Sequence, residues 1–209
     1  MVTASDVGGA SLQAAHFPTA FTASTGTVTF RRRNNARRAG GLAYNNLSVN
    51  KSAAGDIVNL AALASVGGNL TVTLGTLNLG GNLSVTGNIT GAGIVATADF
   101  NLSVVGNLTG VTLNATAAGA VEVITVGGSF IPGTFSAQNS TVTLNSATTP
   151  VAAGGFAYNN LTVSKTAAGN IVNLAALSQR RKRSHRHPGN AQPRGKPFSH
   201  RGGHRQRHA

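Results

Sequence analysis

One stretch of this chain is written twice. Ala39–Leu63 reads AGGLAYNNLSVNKSAAGDIVNLAAL and Ala153–Leu177 reads AGGFAYNNLTVSKTAAGNIVNLAAL, agreeing at 20 of 25 positions 114 residues apart. The same offset pairs Phe21 with Phe135, and GTVTF (Gly26–Phe30) with STVTL (Ser140–Leu144). A chain that repeats itself at such length is expected to fold by stacking like units. Only 10% of residues are charged and 5% aromatic, with no Trp. Globular domains carry about a quarter charged residues. A core built on large aromatic anchors is therefore not expected. Thin β-layers that each bury small aliphatic side chains suit this composition better.

Between the two copies run NNLSVN, DIVNLAAL, GNLTVTL, GTLNLGGNLSVTGNIT, FNLSVVGNLTGVTL and AVEVITV. These are short β-branched or leucine-containing runs punctuated by Gly and Asn, with alternation clearest in LTVTL and LSVTG. Asn46, Asn69, Asn82, Asn101, Asn107 and Asn160 each open an Asn-Leu-Ser/Thr unit or its close variant. At the corner of a stacked rung, such an Asn can bond its amide to the next rung. Leu and Val then point inward and Ser/Thr outward. Residues 21–177 are thus expected to form an all-β parallel β-helix or β-solenoid, with a β-sandwich as the alternative. Residues 1–20 are expected to be irregular. Ala61–Ala64 (AALA) reads as a small-residue strand rather than a helical turn.

The formal net charge is +13, and basic chains invite a nucleic-acid reading. Its distribution argues otherwise. Of 17 basic residues, five are Arg31, Arg32, Arg33, Arg37 and Arg38, ten fall in residues 178–209, and only Lys51 and Lys165 stand elsewhere. All four acids, Asp6, Asp56, Asp99 and Glu122, lie outside the two basic segments. Where the repeat calls for NSATTPVA, the first segment has RRRNNARR; where it calls for ASVGGNLTVTLGTLNLGGNLSVTG, the second has SQRRKRSHRHPGNAQPRGKPFSHR. Reading bases two and three of each codon with base one of the next reconciles them. Residues 178–201 can then encode the Ala64–Gly87 sequence at 22 of 24 positions without a gap, and residues 33–38 can encode ATTPVA. Both basic segments read as repeat sequence translated out of frame. Residues 178–209, highly charged and poor in apolar side chains, are expected to be a disordered tail.

The units AYNNLTVSKTAAGNIVNL, GGNLSVTGNIT and GTLNLGGNL resemble the long repeats of bacterial surface and secreted proteins, the autotransporter and filamentous-haemagglutinin-like β-helix adhesins. The resemblance spans roughly Thr22–Leu177, apart from Arg31–Arg38. It lies in repeat texture and carries over no functional residue. It implies a fragment of an extracellular or cell-surface protein with a structural or adhesive, non-catalytic role, meeting host or cell-surface ligands through its parent. Met1–Gln13 lacks a basic start followed by an apolar stretch, so no secretory signal is expected within the chain. No apolar run reaches the roughly 18 residues of a membrane span.

Other chemistries are weighed against this reading. Arg180, Arg181, Lys182, Arg183 and Arg186 form a run able to touch polyanions non-specifically, so polyanion or nucleic-acid binding through the tail is the alternative function. No nucleic-acid-binding motif surrounds it. His185, His187, His200, His204 and His208 read as shifted threonine codons rather than metal ligands. With no Cys, thiolate sites are excluded. Ten Asn-x-Ser/Thr sequons occur, at Asn46, Asn50, Asn69, Asn82, Asn88, Asn101, Asn107, Asn114, Asn139 and Asn160, and repeat texture accounts for them. The acids show no paired spacing, and neither a nucleophile elbow, a zinc-protease motif nor a phosphate loop is present. No enzyme, cofactor or metal is expected. A carbohydrate-active β-helix enzyme ranks third, because that architecture can host one. Tyr44 and Tyr158, equivalent in the repeat, read as packing residues.

Overall fold

In Asn46–Asn50 (NLSVN), Leu47 and Val49 are buried while Asn46, Ser48 and Asn50 are half-buried. Each strand is too short to bury its apolar face alone, and it does so by lying directly beneath the next copy of itself. A computed structural model describes residues 2–3, 25–31, 37–39, 42–60, 62, 64–116, 119, 121–145, 151–165 and 170–175. They form a parallel β-solenoid of about seven turns with no helix among them, all within one unit, Met1–Ser178. The strands build three parallel sheets of nine, seven and six strands. Every strand pairing described is parallel, which excludes the antiparallel β-sandwich.

Each turn visits the sheets in a fixed order. From Leu70–Leu74 in the first sheet the chain passes to Thr76–Asn78 in the third, then to Leu83–Val85 in the second, and returns to the first at Ile89–Thr90. The corner from first to third sheet is sharp. Gly75, Gly91 and Gly110 occupy it with φ of 91°, 125° and 78°. At Gly91 a Cβ would stand 2.0 Å from the Val72 carbonyl oxygen, so both conformation and space demand glycine.

Inward side chains stack in columns. Leu47, Leu70, Ile89, Leu108 and Phe130 follow one another in the first sheet. Tyr44, Val66, Val85, Val104, Val126 and Leu144 do so in the second. Val58, Leu77, Val95, Leu113 and Phe135 line the third. All but Phe135 and Tyr44 are exposed by 1% or less, so each contributes ~1.5–3 kcal/mol of hydrophobic stabilisation. The expectation of an aliphatic core holds for the middle turns and fails near the last ones. There Phe130, Phe135, Phe156 and Tyr158 form one cluster, with ring centroids 5.2 to 6.2 Å apart.

Turn length varies because corners absorb residues without disturbing the columns. Leu70 to Ile89 and Ile89 to Leu108 each take 19 residues, but Leu47 to Leu70 takes 23. The surplus is the Lys51–Asp56 corner, closed by the Asp56 N–H donating to the Ala53 carbonyl at 3.1 Å. As a result, the 114-residue repeat does not contain a whole number of turns. Leu47 lies on Val28 in the first sheet, whereas its counterpart Leu161 lies on Val142 in the second. Val58 pairs with Arg37 in the third sheet, and Val172 with Val151 in the first. Partners are conserved at the offset while the face changes: the second copy comes after five turns and two of the three faces.

Val2–Thr3, inside the segment expected to be irregular, pairs with Val28–Thr29 at the start of the first sheet. Of Ala61–Ala64, Ala62 is an exposed bend and Ala64 opens the strand Ala64–Val66, so the small-residue strand reading fails at Ala62; Ala61 and Leu63 lie outside the described residues.

Candidate functional site

The asparagines that open the strands do a specific job. The backbone N–H of Asn69 donates to Asn46 Oδ1 at 2.8 Å, that of Asn88 to Asn69 Oδ1 at 2.8 Å, and that of Asn107 to Asn88 Oδ1 at 2.8 Å. The N–H of Ser129 donates to Asn107 Oδ1 at 2.7 Å, and Ser129 Oγ then accepts the Ala152 N–H at 3.1 Å. A second ladder runs beside the second sheet, from Asn82 through Asn101 to the Val123 N–H. Within the third sheet, Asn78 Nδ2 donates to Asn59 Oδ1 at 3.1 Å. The side-chain oxygen takes the place of a backbone carbonyl at a corner where the ladder of main-chain bonds turns away. Gly87 is required for the same reason. A Cβ there would lie 2.5 Å from Asn69 Oδ1 and 2.6 Å from the Gly68 oxygen. Six of the ten sequon asparagines (Asn46, Asn69, Asn82, Asn88, Asn101 and Asn107) are these ladder residues, so ladder Asn, inward apolar residue and outward hydroxyl together spell the sequon.

The outward positions make a second pattern, which the sequence reading did not single out. Ser65, Ser84, Ser103, Thr125, Thr143 and Thr162 occupy successive registers of the second sheet, so six hydroxyl residues stand in one unbroken row. Strand spacing sets the step at about 4.8 Å. The first sheet carries a similar row, in which Thr29, Ser48, Thr71 and Thr90 follow one another in register. In the third sheet Thr134 Oγ1 donates to Thr112 Oγ1 at 3.0 Å. The alternating pattern signalled outward Ser/Thr, but alignment into rows follows only from the register between turns.

Among the described residues the acids do not converge, and Asp6 lies outside them. Asp56 Oδ2 accepts the Ala53 N–H at 3.1 Å and the Ser52 hydroxyl at 3.4 Å, within its own corner. Glu122 is buried, and its Oε1 accepts the Thr116 N–H at 2.9 Å. Asp99 sits in a left-handed turn with φ of 69°. Among the described residues no three His, Asp or Glu side chains come together as a metal site. Tyr44 is buried, and burial pushes its hydroxyl up to about 12; Tyr158, against Phe130 and Phe135, is pushed up to about 12 in the same way. Tyr158 donates to the Gly154 carbonyl at 2.8 Å, so both tyrosines belong to packing.

Arg180, Arg181, Lys182, Arg183 and Arg186, and all six histidines, lie outside the described residues. Arg31 is exposed, and of Arg37 and Arg38 the backbone alone is described, as part of the strand Arg37–Ala39. Among the described residues no helix is long and apolar enough to cross a membrane, which leaves β-strand crossing unaddressed. In comparisons with known proteins, no family model, no curated protein and no solved structure matches this chain.

Proposed function

We propose that this chain is a structural or adhesive segment of a secreted or cell-surface bacterial protein, acting through its outer faces and without catalysis. The supporting observation is the unbroken hydroxyl row Ser65–Ser84–Ser103–Thr125–Thr143–Thr162. Identical weak contacts at a fixed step multiply into avidity toward a partner that is itself repetitive, such as a surface glycan. The test displays the chain on a non-adherent bacterium and measures retention on glycan-coated and host-cell surfaces. Retention should fall when Ser84, Ser103 and Thr125 are replaced by Lys, with the melting temperature unchanged. Retention indifferent to those changes but abolished by moderate salt would transfer the function to polyanion binding by the tail. Turnover of a polysaccharide would transfer it to an enzyme.

We also infer that the two basic segments are repeat sequence in a shifted frame. The support is positional. Arg37, Arg38 and Ala39 pair with Val58, Asn59 and Leu60 in the register in which Val151, Ala152 and Ala153 pair with Val172, Asn173 and Leu174. Val151 and Ala153 are 3% and 1% exposed, so the repeat assigns a buried valine where this chain has Arg37. The nucleotide sequence decides: a frame restored by an insertion or deletion must encode the repeat at both places.

A further inference from the structure

The two copies of the repeat have nearly the same side chains and opposite fates. In the first copy Leu47 and Val49 are 1% and 0% exposed, and Val58 and Leu60 are 0% and 1%. In the second, Val163 and Leu174, the counterparts of Val49 and Leu60, are 51% and 56% exposed, and Leu161 and Val172 are only half-buried. The layer beneath does not explain this: Leu47 rests on Val28 as Leu161 rests on Val142, and Leu60 on Ala39 as Leu174 on Ala153, and where the layers differ, with Arg37 under Val58 and Val151 under Val172, the second copy has the more apolar support. The layer above does. Leu70, Thr71 and Val72 pair over Leu47, Ser48 and Val49, and Thr76–Asn78 pair over Ile57–Asn59. Among the described residues, Asn160–Val163 and Val172–Leu174 are instead the outermost strands of their sheets. Lys51 is buried, with Gly75 of the next turn against its stem.

We infer that this outer edge is a docking surface for one further turn of the repeat, of the sequence Ala64–Gly87. The first copy shows that turn seated on the same side chains, in parallel register, with the Leu47 N–H donating to the Asn69 carbonyl and the Lys51 N–H to the Leu74 carbonyl, each at 3.0 Å. The occupant's identity rests on the shifted-frame reading. The acceptor property rests on the burial contrast alone.

The experiment grafts ASVGGNLTVTLGTLNLGGNLSVTG in place of residues 178–201 of the full chain, beside a graft of the same residues in shuffled order. Hydrogen exchange is followed at the amides of Leu161, Val163, Val172 and Leu174, which alternate with amides that donate to the turn beneath. With the ordered graft they should slow to the range of Leu47, Val49, Val58 and Leu60, while the shuffled graft leaves them fast. A second readout uses the absence of native cysteine. Ser48 faces Thr71, so Thr162→Cys should form a disulfide under mild oxidation with a cysteine at grafted position 185, and not with one at 187. Equal protection by both grafts, or disulfides that ignore register, would overturn the inference. So would concentration-dependent protection of the unmodified chain, which would make a second copy the occupant. If the nucleotide sequence showed no shifted frame, the origin of the tail would fall and these results would stand.

Discussion

Asn88 and Gly87 work as a pair. Asn88 reaches up to the next turn's backbone, and Gly87 leaves room for Asn69 reaching up from below. Gly87→Ala should therefore destabilise the fold by ~1–3 kcal/mol through forced overlap with backbone. Asn88→Ala should cost a smaller ~0.5–1.5 kcal/mol, because the Asn107 N–H that loses its acceptor is exposed and can turn to water. Both appear as lower urea midpoints with unchanged slope. The sequence already suggested asparagine at rung corners. The acceptor atom and the need for the preceding glycine were not readable, since both depend on which residue lies one turn away. The tyrosines give a pH prediction. Their folded values of about 12 exceed the ordinary 10.0, so their contribution to stability is complete below pH 10.0 and is lost as pH rises through about 12. Phenolate absorbance should show no tyrosine titrating near pH 10 in the folded chain; a normal titration there would mean the rings are solvated.

Strands in this molecule are stabilised by neighbours rather than by their own length, so position along the stack sets the worth of a side chain. Leu77→Ala, between two turns, should cost ~2–5 kcal/mol, and Leu174→Ala, at the edge, under ~0.5 kcal/mol. Equal losses by thermal unfolding would contradict a stacking origin. Replacing residues 33–38 by ATTPVA should raise stability by ~1.5–3 kcal/mol, the gain of a buried valine at position 37. Alternation in NLSVN and LTVTL was enough to place strands and most of their faces; Leu74, which alternation turns inward, is exposed beyond a shift of register between Val49 and Asn50. The aromatic cluster was not readable in the same way. Phe130, Phe135, Phe156 and Tyr158 come from different faces of neighbouring turns, and Phe156 merely replaces Leu42 of the first copy.

At the scale of the whole stack, the repeat in sequence and the turn in space have different lengths. The sequence made the repeat plain, but not its phase. Phase depends on how many residues each corner absorbs, and corners such as Lys51–Asp56 are set by local hydrogen bonds rather than by hydrophobic pattern. Stacking partners survive the mismatch because each turn reads only the turn beneath it. If more units of 114 residues followed one another, each would begin a third of a revolution from its predecessor. Any motif carried by the unit would then look out in three directions in rotation, and return to its first bearing only with the fourth unit. A long fibre of this kind has no preferred side to offer, so a partner arriving from any quarter would meet the same surface.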